Sequence, residues 1–202
     1  MRANQLLECE TFHCPDVRHE GYIIPGVEIE AAKISIVMIA EAAPPNPADY
    51  FYAPGDPLFQ QTTVQAFNDA GVKASTIAEL VGLGVYFTTA VKCGKTGYGI
   101  QAGTIKECSF ILEKELALFP NIQVYLLMGD VAIKALNTIA ARAGEKRVIP
   151  AGSTYKIRGQ PYYFRDKRAF PSYLQAGPSF FIEKSKRKVI AEDIAAALDL
   201  VK

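Results

Sequence analysis

The chain carries four cysteines in two distant pairs: Cys9 and Cys14 within "CETFHC", and Cys93 and Cys108, fifteen residues apart. Four thiolates gathered from two such pairs suffice to hold an iron–sulfur cluster or a tetrahedral zinc ion. The C-x4-C spacing belongs to no standard ligand motif, and His13, between the first two cysteines, equally suits zinc. The bland alternative is four unligated thiols, each packing as a small apolar side chain. A second chemical feature is charge. Residues 142–188 hold 12 Lys/Arg against 3 Asp/Glu, while the remainder holds 10 against 18, so a net charge of +1 conceals a basic segment. Such asymmetry suits a face that meets a polyanion, although a solvated basic loop and tail helix would give the same count.

The elements that must position these residues are readable from periodicity. "ISIVMIA" (34–40) is a β-branched run of the kind buried on both faces of a sheet. The Pro-rich "EAAPPNPADYFYAPGDP" follows, a loop too long to be a mere connector. Residues 58–72 read as a helix with Val64, Phe67 and Ala70 inward and Gly71 closing it. "GVYFTTAVKC" is a second strand ending on Cys93. Ile105, Cys108, Ile111, Leu112, Leu116 and Phe119 set the stripe of a helix over 104–119, with Thr104 and Glu107 as its capping box. "NIQVYLLMG" (121–129) is a third buried strand, followed by a small-residue helix over 130–143. Residues 153–174 read as two β segments and a loop, and 178–200 as one closing helix. This alternation predicts one α/β domain over 1–202, a mainly parallel sheet covered by helices on both sides. No apolar run is long enough to span a membrane, and "MRANQLLECE" does not read as a signal peptide. The expected compartment is therefore a reducing cytosol, where clustered cysteines bind metal more often than they pair.

The words around the cysteines, "VYFTTAVKC", "ECSFILEKEL", "VYLLMGDVAIKAL" and "FPSYL", resemble the iron–sulfur-containing uracil-DNA glycosylases. That family has a paired-cysteine N-terminus, a strand phrased "ITNxVKC", a helix cysteine about fifteen residues later, then "LGxxA" and "HPS". The resemblance spans roughly residues 9–195. It places Cys9, Cys14, Cys93 and Cys108 on the cluster positions, Gly129 and Ala132 on "LGxxA", Pro171-Ser172 on "HPS" and Ala40-Glu41-Ala42 on "GEAPG". It implies a short-sheet α/β/α sandwich, a structural 4Fe–4S cluster (zinc being the alternative), and DNA as the partner of a monomer.

The resemblance also assigns the catalytic machinery. Glu41 is the carboxylate that orients water or stabilises a sugar cation, unless it only caps the Pro-rich loop. Leu174 is the apolar wedge that fills the space of a flipped base. Phe59, or Tyr52 from the long loop, is the base stacker, and a core role is open to either. Ser172 completes the substrate-binding set. Two positions depart from the pattern. Thr89 stands where the family has the Asn that reads a pyrimidine's amide edge, and Phe170 where it has the His beside the leaving group. Phe170 donates nothing, and one lost donor of this kind costs on the order of 10²–10³ in rate. The rival readings are a non-catalytic nucleic-acid or nucleobase binder with the same fold, and a zinc-stabilised α/β protein unrelated to DNA.

Overall fold

Ile36, Val37, Met38, Ile39 and Ala40 are all fully buried because their strand lies in mid-sheet between two helical layers. Ile36, Met38 and Ala40 pack with Phe67, Leu80, Ile190 and Ile194 on one face. Val37 and Ile39 pack with Leu112, Leu116, Leu136 and Ile139 on the other. The computed structural model describes residues 1–97 and 99–202. Its elements are β1 (Val17–Arg18), β2 (Ile36–Ala43), α1 (Leu58–Asp69), α2 (Ile77–Gly82), β3 (Val85–Lys95), α3 (Ala102–Leu116), β4 (Val124–Met128), α4 (Asp130–Arg142), α5 (Thr154–Ile157), β5 (Tyr162–Phe164), β6 (Lys167–Ser172), α6 (Ser179–Ile182) and α7 (Lys184–Asp199).

The sheet is six-stranded and mixed, ordered β1-β3-β2-β4-β6-β5. Its four central strands are parallel, and the edge strands β1 and β5 run antiparallel to their neighbours. From β2 the chain passes to β3 on one side, then crosses to β4 on the other, so strand order reverses between β2 and β4. Open α/β sheets bind ligands outside the carboxyl ends of strands at such a reversal. Among the described residues no helix is long and apolar enough to cross a membrane.

A bulge shapes the end of β3. Ala42 pairs with Val91 and Ala43 with Gly94, so Lys92 and Cys93 are extra residues across that step. Bulges re-aim side chains, and here Lys92 and Cys93, consecutive in a strand, both reach α3. Lys92 pairs with Glu115, and Cys93 packs in the cluster that includes Cys108. Backbones also meet closely beside the bulge. A Cβ on Gly21 would lie 3.1 Å from Gly94 Cα, and one on Gly94 3.2 Å from the Pro44 carbonyl oxygen.

Several local expectations need correction. Thr104 does not cap its helix, which begins two residues earlier. Its hydroxyl instead bonds Asp16 Oδ1, while Asp16 Oδ2 accepts from the Gln101 N–H at 2.6 Å. The carboxylate two residues after Cys14 thus replaces the expected capping box. The segment expected to begin a β pair at 153 first makes the short helix α5, and only then the β5–β6 hairpin. Residues 178–200 form two helices, because Glu183 (φ −88°, ψ 70°) leaves helical geometry between α6 and α7. The third strand is shorter than 121–129, and α2 is an additional helix. The 58–72 helix stops at Asp69, and Gly71 takes φ +92° just past its end.

Candidate functional site

The carboxyl ends of the parallel strands open on a cleft of about 580 Å³. Glu41 from β2, Lys95 from β3, Gly129 after β4 and Ser172 from β6 all line it. Tyr173, Leu174 and, from α7, Lys186 complete part of its wall. The cleft thus sits at the reversal of strand order. Lys95 Nζ donates to Glu41 Oε2 at 3.1 Å, and Glu41 Oε1 faces the Val131 N–H at 3.5 Å in the first turn of α4. The N-terminal end of a helix favours an anionic neighbour. Gly129 is required here: its φ is +101°, and a Cβ would lie 2.7 Å from Glu41 Oε1. Ser172 donates to Asp193 Oδ2 at 2.6 Å, and Arg158 Nε donates to the same carboxylate at 3.0 Å. Burial pushes Asp193 above the usual carboxylate range, with those two bonds pulling the other way. The serine hydrogen is therefore spent on Asp193, leaving only its oxygen to the cleft.

Of the residues singled out in the sequence, Glu41, Ser172 and Leu174 come together here. Tyr52, Phe59, Thr89 and Phe170 do not line this cleft. Tyr52 clasps the open edge of β3, its hydroxyl donating to Phe87 O and accepting from Phe87 N, both at 3.0 Å. Phe59 is a core residue 5.2 Å from the Phe51 ring. Thr89 is fully buried with no hydrogen-bond partner for its hydroxyl. Phe170 is buried in the same core, with the Arg168 guanidinium 4.2 Å from its ring centre. Lys95 and Asp193 went unnoticed in the sequence. Lys95, two residues past the bulge, gave no sign of its contact with Glu41, whereas Asp193 left a signal: it interrupts the apolar stripe Ile190, Ile194, Ala197.

All four cysteines line a second pocket, of about 260 Å³, with His19, Tyr22, Phe12 and Phe110. None is in a disulfide; Cys93 and Cys108 are buried, Cys9 and Cys14 half-buried. Burial, and then the neighbouring cysteines, push the Cys93 thiol up to about 12. Burial raises Cys108 to about 11, partly countered by Lys92. The sulfurs surround a cavity and not a point: among the described residues no three His, Cys, Asp or Glu side chains are grouped as ligands of one ion. His13 is exposed and is not among the lining residues. Behind the pocket lies a buried ion pair, Lys92 with Glu115. Lys92 Nζ also donates to Thr88 Oγ1 at 2.8 Å and Thr89 O at 2.6 Å, so its three hydrogens are spent. Tyr86 donates to Glu115 Oε1 at 2.7 Å. Compared with known proteins, the chain matches no family model and no curated sequence.

Proposed function

We propose that the chain is a DNA base-excision glycosylase that hydrolyses the N-glycosidic bond of uracil or another deaminated or damaged base. It acts as a monomer in a reducing, cytosolic setting, with a structural 4Fe–4S cluster on Cys9, Cys14, Cys93 and Cys108. The observation that carries this reading is the meeting of Glu41 and Leu174 in one cleft at the reversal of strand order. Glu41 is anchored from two sides and near enough to cleft solvent to orient a water molecule. Glu41 accepts a proton from that water, whose oxygen bonds the anomeric carbon as the C–N bond breaks and the base departs with the bonding electron pair. Leu174 is the wedge that occupies the vacated stack, and the exposed Lys184 and Lys188 of α7 offer their charge to backbone phosphate. The thiol pocket fits a cluster by its chemistry: four sulfurs around one cavity and a buried Tyr22 hydroxyl with no partner. When bound, the cluster cross-links the N-terminal segment to β3 and α3.

A second reading, a non-catalytic nucleic-acid or nucleobase binder, gains support from Thr89 and Phe170. Both are buried away from the cleft and offer no group to a base or leaving group there. Incubation with oligonucleotides carrying uracil, hypoxanthine or xanthine decides between the two by release of free base. Excision is expected for at least one lesion, and Glu41→Gln is expected to slow it about 10²–10⁴-fold. Salt-sensitive DNA binding with no released base would establish the binder instead.

A further inference from the structure

The segment joining Gly21 to Cys93 in space brings two polar side chains to the thiol pocket that the proposed reaction does not use. Tyr22 lies edge-on to Phe12, ring centres 4.9 Å apart, with its hydroxyl fully buried. That hydroxyl has no hydrogen-bond partner, a situation that costs about 1–3 kcal/mol and that a phenylalanine would avoid. Burial, with Cys9, Cys93 and Cys108 acting in the same direction, pushes the hydroxyl's pKa up to about 12. Tyr22 lines the same pocket as all four cysteines. The second group is His19, whose Nδ1 lies 3.5 Å from Cys93 Sγ and whose ring also packs edge-on against Phe12, at 5.6 Å. One apolar ring thus holds both polar side chains against the cysteines, and all of them line the same cavity.

We infer that Tyr22 and His19 are positioning residues that donate hydrogen bonds to the sulfur of the group held in this pocket, Tyr22 through its hydroxyl and His19 through Nδ1–H to Cys93 Sγ. This rests on the pocket being an iron–sulfur site. Hydrogen bonds to cluster sulfur draw off electron density, favour the more negative reduced state and so raise the reduction potential. The two residues set that potential and shield the centre from oxidative loss; they do not ligate iron.

The test uses the whole chain, loaded anaerobically with ferrous iron and sulfide, and compares wild type with Tyr22→Phe, His19→Leu and the double variant. Reduction potential is followed by visible absorbance in a dye-mediated titration, and bleaching of the same absorbance is timed in air. Each single variant should shift the potential to more negative values and bleach faster, with the double variant beyond either. A merely structural role would move the urea midpoint and leave both readings unchanged. Equal potentials and equal bleaching rates in a loaded protein overturn the inference alone. If the centre resists reduction, the bleaching rates decide by themselves. A wild-type chain that takes up no iron overturns the reading of the pocket itself.

Discussion

At the scale of single residues, the cleft depends on what Gly129 lacks. Its φ of +101° with ψ 170° is a glycine conformation, and Glu41 fills the space of a side chain. Gly129→Ala is expected to destabilise the fold by about 1–3 kcal/mol in urea unfolding. It should also displace Glu41 and slow base release. Lys92 makes the opposite case, a charge that only its partners justify. Lys92→Met leaves Glu115 buried and unpaired, and should cost about 3–5 kcal/mol. Adding Glu115→Leu should recover part of that loss in a double-mutant cycle, the remainder reflecting the stranded Tyr86 and Thr88 hydroxyls. Glu41 and the cysteines stood out in the sequence because they are scarce types in telling contexts. Lys92 and Lys95 did not, since a lysine in a strand gives no sign of whether a bulge will bury it or aim it at a carboxylate.

At the scale of elements, long periodic runs were legible and short or capped ones were not. The β-branched runs gave β2, β3 and β4 because burial on both faces leaves no polar alternation to mislead. The six residues of α2 are too few for a periodic signal, and α5 owes its form to tertiary context. The break before α7 was hidden because Glu183 and the basic residues after it are all compatible with a helix. What fixes α7 is a long-range clamp: Arg187 Nη2 bonds Asp69 Oδ1 of α1 at 2.7 Å. The Arg187 bond, against a smaller burial effect, holds the Asp69 carboxyl below its ordinary value. A carboxyl depressed in the folded state stabilises above its unfolded pKa of about 3.9, and that contribution disappears as pH falls through the folded value. Asp69→Asn should therefore lower the urea midpoint at neutral pH, and the difference from wild type should close in acid.

For the molecule as a whole, the basic segment is less available than its composition suggested. Five of its twelve cations, Arg142, Arg158, Arg165, Lys186 and Arg187, are already in ion pairs within the protein. Lys184 and Lys188 are exposed and have no ion-pair partner among the described residues. Lys184→Ala or Lys188→Ala should each flatten the log–log salt dependence of DNA binding by about 0.9 if that lysine meets a phosphate. Arg187→Ala should leave the slope unchanged and lower the unfolding midpoint. A sequence can state how many charges a segment holds, but their neutralisation by Glu113, Asp69 and Asp193 is a property of the assembled chain.

The contact of Gly21, Gly94 and Pro44 has one more consequence. Gly94 is the sole residue between Cys93, which faces the thiols, and Lys95, which steadies Glu41, and a methyl group there would press on the Pro44 carbonyl at 3.2 Å. The two ends of that short span therefore lie on one closely packed stretch of backbone. If the proposed excision takes place at Glu41, oxidation of the thiols should lower it only where that stretch of backbone moves with them, which comparing activity before and after thiol oxidation would show.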